Sequence, residues 1–246
     1  MVKLLIQFGI HFDVIMTKKT FFICLSFVFA ASLSFGQFNV KIGYGLGFAQ
    51  ASVNNSLIQA SNAQLTGIDG DVNFEEPLPE LNSMYGIVLG FRIKVSDTNA
   101  FEFSWENLSR ERSSFGVIRD SDILFEQELT YAFNQFSLGY QSQFGNLGLG
   151  TALGYNRVKI KRAISSSDKK ITIVPDSQYF VKFNLSYTIE SNRSVALSIQ
   201  PYYQFPLSNV NLDGLADFLD LPGASDTSES FPMFGVSFIF YNGRQR

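Results

Sequence analysis

The sequence predicts an all-β protein, an eight-stranded antiparallel up-and-down transmembrane β-barrel formed by one domain at residues 37–246. Three observations carry that prediction. Bulky apolar residues alternate with small or polar ones in segment after segment. Aromatic residues reach 15% while charged residues are only 17%. The connections between segments alternate between short and long. A helical membrane protein would instead need several apolar runs of roughly 18 residues or more, and no such run follows residue 36.

The first 36 residues read as a segment removed during export. Met16-Thr17-Lys18-Lys19-Thr20 is a short basic stretch, thirteen mostly apolar residues follow from Phe21 to Leu33, and Ser34-Phe35-Gly36 offers small residues before a cleavage expected ahead of Gln37. Met16 would serve as a start, which makes residues 1–15 dispensable. The alternative is an uncleaved anchor helix, for which the apolar stretch is short. The only cysteine, Cys24, and the only histidine, His11, lie in this segment. The exported chain then has neither, which excludes disulfides and Cys or His metal sites. Removing three basic and one acidic residue from totals of 19 and 22 leaves 16 and 21, a net charge of −5. That balance does not suit nucleic acid.

The first strand begins right after the expected cleavage. Phe38, Val40, Ile42, Tyr44, Leu46 and Phe48 alternate with Asn39, Lys41, Gly43, Gly45, Gly47 and Ala49. The second carries Tyr85, Ile87, Leu89, Phe91 and Ile93 against Gly86, Val88, Gly90, Arg92 and Lys94. The third sets Phe101, Phe103 and Trp105 against Glu102, Ser104 and Glu106. The fourth is ambiguous, because Leu129, Tyr131 and Phe133 fall in one phase and Phe136, Leu138 and Tyr140 in the other. Either a bulge near Asn134-Gln135 reconciles them or the first group faces the lumen. Leu147 to Tyr155, Tyr179 to Ile189, Val195 to Phe205 and Phe234 to Phe240 supply strands five to eight.

Connections after strands two, four and six are short, at 95–99, 143–146 and 191–194. Those after strands one, three, five and seven are long, near 51–83, 111–125, 164–176 and 207–231. Outer-membrane barrels have short periplasmic turns, long external loops and an even strand number. Aromatics also gather toward strand ends, including Phe38, Phe48, Tyr85, Trp105, Tyr155, Tyr179, Phe205 and Tyr241, as in interfacial girdles. A soluble lipocalin-like barrel is the alternative, but its exterior would be mostly glycine and serine.

Charged residues within the strands fall on the phase opposite the bulky one: Lys41, Arg92, Lys94, Glu102, Glu106, Lys182 and Glu190. Lys41, Arg92, Glu102, Glu106, Lys182 and Glu190 are expected to form a polar network in the lumen, with Arg92 opposite Glu102 across the short turn at 95–99. Eight strands leave an interior that side chains fill, so a plug is expected rather than an ion path. No catalytic residue, cofactor site or metal site is expected. A serine triad lacks its histidine, and Glu102 and Glu106 alone do not make an acid–base pair. Calcium remains chemically allowed at Asp69, Asp71, Glu75 and Glu76 or at Asp213, Asp217 and Asp220, although neither spacing is that of an EF-hand. Leu212, Leu215, Phe218, Leu219 and Leu221, followed by Pro222-Gly223, predict a short amphipathic helix capping the barrel mouth.

Three segments carry a family resemblance: Phe38-Asn39-Val40-Lys41-Ile42-Gly43-Tyr44-Gly45, Phe136-Ser137-Leu138-Gly139-Tyr140, and Gln200-Pro201-Tyr202-Tyr203-Gln204-Phe205-Pro206-Leu207. In these the chain resembles, over about residues 37–242, the outer-membrane β-barrel domain family of Bacteroidota, which includes PorT-like proteins of the type IX secretion system. The resemblance implies an eight-stranded barrel without catalytic residues, in contact with outer-membrane lipid and with other envelope or secretion-system proteins. A surface-binding protein using its long loops, or a small-solute channel, are the competing expectations.

Overall fold

The computed structural model describes residues 38–66, 72–119, 121, 123–164, 167–192, 195–221 and 227–242, without the side chains of 164, 167, 168 and 190–192. The expected export segment, 1–36, lies outside the described residues.

Alternation of the kind read above produces β1 (Phe38–Ala49), β3 (Met84–Lys94), β4 (Asn99–Ile118), β5 (Leu124–Phe144), β6 (Leu147–Ile164), β7 (Ser167–Asn192), β8 (Val195–Pro206) and β11 (Met233–Asn242). These eight close into a ring in chain order, with antiparallel registers running from β3 round to β1. Closure removes every sheet edge within the ring, which a spanning sheet requires because lipid offers no partner to a free N–H or C=O.

The two ends of the ring are built differently. At one end, β3 and β4 are joined through Val95–Thr98, where the Ser96 hydroxyl accepts the Asn99 amide at 3.1 Å. Nearby, β5 and β6 are joined by Gly145 and Asn146 alone. Gly145 has φ +64°, a left-handed conformation that this tight turn needs and that glycine adopts without strain.

The other end carries everything else: α1 (Ser52–Thr66), β2 (Val72–Glu76) paired to the far part of β4, a ribbon of β9 (Val210–Asn211) with β10 (Ser228–Glu229), and α2 (Asp213–Phe218). Residues 111–125 and 164–176, expected as loops, are mostly strand. β4 and β5 run 20 and 21 residues, twice the roughly 9–11 needed to span a membrane. They stay paired as far as Val117 opposite Leu124. The strands continue because each has a partner after it leaves the bilayer.

The ambiguity in the fourth strand, β5, resolves without a bulge. Its registers with β4 and β6 are unbroken from one end to the other. Leu129, Tyr131 and Phe133 are buried inside the ring, and Phe136, Leu138 and Tyr140 are exposed outside it. The phase is constant; the polarity of the faces changes.

Candidate functional site

Toward the tight-turn end, the lumen is polar. Arg92 stands directly opposite Glu102 in the β3–β4 register, and its Nε donates to Glu102 Oε1 at 2.7 Å. Lys41 Nζ reaches Glu102 Oε2 at 3.0 Å and the Ser104 hydroxyl at 2.8 Å. The Tyr241 hydroxyl also donates to Glu102, at 2.9 Å, and the Tyr241 ring lies 4.0 Å under the Arg92 guanidinium. Arg92 further donates to Gln141, which passes a bond to Ser186 at 2.5 Å. Each charged group is buried, so each needs this pairing to offset its desolvation.

Glu106 makes a separate pair. It accepts from Lys182 Nζ at 2.5 Å, and that ammonium sits 4.0 Å from the centre of the Tyr202 ring. Of the six residues expected in the lumen network, the structure brings Lys41, Arg92 and Glu102 into one cluster and Glu106 with Lys182 into a second. The side chain of Glu190 lies outside the described residues. Tyr241, expected in the outer aromatic girdle, is instead a lumen residue; it follows lipid-facing Phe240 and therefore points the opposite way. A cavity of about 20 Å³ lies among Lys41, Glu102, Glu106 and Lys182. That is room for about one water.

Above Glu106 the lumen changes character. Glu106, Gln135, Asn156 and Gln178 oppose one another across four consecutive strands and all are buried. Beyond this polar shelf, Leu108, Leu129, Tyr131, Phe133, Val158, Ile160 and Val174 fill the interior and belong to one apolar cluster. Over β6 the exchange is complete within two residues. Leu149, Leu153 and Tyr155 are exposed outside while Gly148 and Asn156 face in; then Val158 and Ile160 are buried and Arg157, Lys159 and Lys161 take the outer face. One half of the ring is therefore apolar outside and polar inside, and the other half is the reverse.

Two helices close the apolar end. In α1, Asn54, Leu57, Ile58 and Ser61 are buried at the i, i+3, i+4, i+7 spacing of one helical face. The Tyr131 hydroxyl donates to Asn54 Oδ1 at 3.0 Å. Asn55 and Asn62 each exchange two bonds with the backbone of Leu81 and Leu78 respectively, at 2.9–3.3 Å. The Glu229 carboxylate accepts the Val53 and Asn54 amides at 2.6 and 3.1 Å, satisfying two of the free N–H groups at the start of α1. Burial pushes the Glu229 carboxyl up from its ordinary value while those amides pull it down.

The capping helix expected near residue 215 is α2. Leu212, Leu215 and Leu219 are buried against the apolar cluster, with Phe218 and Leu221 packed on its edge. Asp213, weighed for calcium, spends its oxygens on Asn211 at 2.9 Å and the Thr227 amide at 2.8 Å. Asp69 and Asp71 lie outside the described residues, and among the described residues no cluster of three or more metal-binding side chains occurs.

The exterior of the first half is a continuous apolar band. Leu138 is 62% exposed and Leu153 66% exposed, values that only a lipid solvent makes tolerable for residues so numerous. Trp105, Phe136, Tyr155 and Tyr179 stand opposite one another across four strands at the upper edge of that band. Such a row of aromatics, with the amphipathic Trp105, Tyr155 and Tyr179 in it, marks the interface between hydrocarbon and water. Among the described residues no helix is long and apolar enough to cross a membrane; the strands do so.

Similar solved structures are small outer-membrane barrels. Ail, the attachment invasion locus protein of Yersinia pestis, is 11% identical, with 84% of this chain and 97% of that one covered and a TM-score of 0.45. Neisserial surface protein A is 10% identical over the same shares, at 0.43. OprG of Pseudomonas aeruginosa is 12% identical over 84% and 92%, at 0.37. No protein-family model and no curated protein matches the sequence. The likeness is too distant to carry a role across. The barrel's own inverted surface makes it an outer-membrane protein.

Proposed function

We propose that this is a closed, non-catalytic outer-membrane barrel that acts by binding through its external end. The observation that carries this reading is the filled upper lumen, where Phe133, Tyr131, Leu129 and Ile160 are fully buried in one apolar cluster with Leu57 and Ile58 of α1 and Leu215 of α2. A channel is disfavoured for the same reason. Beyond residue 36 the sequence has no histidine or cysteine, which removes the base of a Ser-His-Asp mechanism and the ligands of a Cys or His metal site. The elaborated end, with its helices, ribbon and extended hairpins, is the external one by the usual orientation of such barrels.

A secretion-accessory role, as the family resemblance implies, is the form of this binding in which the partner is another envelope protein. Two experiments test the proposal. Purified barrel in planar bilayers is expected to be silent, and steady unitary conductance would contradict closure. Photo-crosslinkers at exposed Gln64 on α1 and at exposed Asp97 in a tight turn distinguish the two ends. Adducts from position 64 support external binding; adducts from position 97 alone would overturn it.

A further inference from the structure

We propose that the outer face of β6 just above the aromatic girdle, Arg157, Lys159 and Lys161, binds the phosphate groups of the phosphorylated glycolipid in the outer leaflet. The inference rests on the outer-membrane reading and names a lipid partner for the surface above the band. On β6 the last lipid-facing residue is Tyr155, and the next three positions on the same face are all basic.

Depth supports the match. Successive same-face residues rise roughly 6.6 Å along a strand, or about 5 Å normal to a membrane at the usual tilt. The headgroup layer adds roughly 5–8 Å outside the hydrocarbon. Arg157 therefore stands within that layer, Lys159 at its rim, and Lys161 can reach back toward it by its long stem.

Charge supports it too. The cross-strand neighbours of the three are uncharged: Asn134, Ala132 and Thr130 on β5, and Ser177, Pro175 and Thr172 on β7. The ion pairs among the described residues leave these three cations out, whereas nearby Lys170 is matched by Glu111 at 2.6 Å and by Glu128. At the same level the outer face of β4 carries Asn107, Ser109 and Glu111, so the basic stripe does not continue onto β4. Arginine holds a phosphate with two N–H groups and lysine as a point charge.

The test uses the full barrel in detergent, titrated with a short-chain bis-phosphorylated glycolipid, its dephosphorylated form and inorganic phosphate. The bis-phosphorylated lipid is expected to bind at least about tenfold more tightly than the dephosphorylated one, with inorganic phosphate competing weakly. The triple variant R157Q/K159Q/K161Q should lose that preference. All three side chains point outward, and folding of the variant is checked by its heat-sensitive gel mobility. Arg157→Lys should retain most of the preference. Equal binding of the two lipids by the unaltered barrel would overturn the proposal without touching closure of the lumen. So would a triple variant that folds and keeps its preference.

Discussion

The lower and upper halves of this barrel share the same strands, the same register and the same side-chain phase, yet solve opposite problems. In the lower half the solvent is lipid; Leu138 and Leu153 face it, and Glu102, Arg92 and Lys41 are buried as a charged cluster. In the upper half the solvent is water; Arg157 and Lys159 face out, and Phe133, Val158 and Ile160 are buried. The switch falls at Tyr155 and Asn156, on adjacent residues of β6. A β-strand gives the chain two faces, and the medium at each height decides which of them is apolar. The upper half is in effect a small soluble barrel standing on a membrane one, closed by α1 and α2.

The two interiors should fail in different ways. Glu102→Leu leaves Lys41 and Arg92 buried without their carboxylate, and a loss of roughly 3–5 kcal/mol in urea unfolding of the refolded barrel is expected. Phe133→Ala opens a cavity in the upper cluster at a cost of about 3–4 kcal/mol. A Glu102→Leu barrel as stable as the parent would mean that the lower interior is hydrated rather than packed. The two exteriors differ just as sharply. Leu149→Lys should cost about 2–4 kcal/mol because the new charge sits deep in hydrocarbon, while Lys159→Leu on the same face of the same strand should change stability by about 0.5 kcal/mol or less. Equal effects would erase the boundary.

A smaller effect separates the cap from both halves. Glu229→Ala removes the acceptor for the Val53 and Asn54 amides and is expected to cost about 1 kcal/mol, read as faster hydrogen exchange across residues 52–66 with the barrel amides unchanged. Its folded pKa is raised, so its contribution is complete below the unfolded value of about 4.5 and is lost as pH rises through the folded value. Protection of α1, corrected for intrinsic exchange, should therefore weaken as pH increases through that range, and Glu229→Gln should flatten the dependence.

Much of the lower half was legible in the sequence because period-two alternation there coincides with a change of solvent across each strand. Arg92 opposite Glu102 followed from the phase and the short turn alone. The upper half was harder for a physical reason: once a strand leaves lipid, apolar residues move to the other face, and the alternation looks like a slip of register. Leu129, Tyr131 and Phe133 gave that impression of a bulge, and Arg112, which pairs with Leu129, lay in a stretch taken for a loop. The helix α1 escaped notice because half of its buried face is Asn54 and Ser61 and its docking relies on Asn55 and Asn62 bonded to backbone. The helical spacing of Leu57 and Ile58 with those two polar positions was the available signal. Tyr241 shows the converse, an aromatic at a strand end whose phase places it inside.

The inversion is tested most directly by spin labels on single cysteines at 149, 153, 157 and 161, all on the outer face of β6, in barrels reconstituted in bilayers. Labels at 149 and 153 should collide with oxygen and be shielded from a water-soluble nickel complex, and labels at 157 and 161 should show the reverse. Four labels with one common accessibility, or a crossover displaced by several residues from Tyr155, would contradict the account.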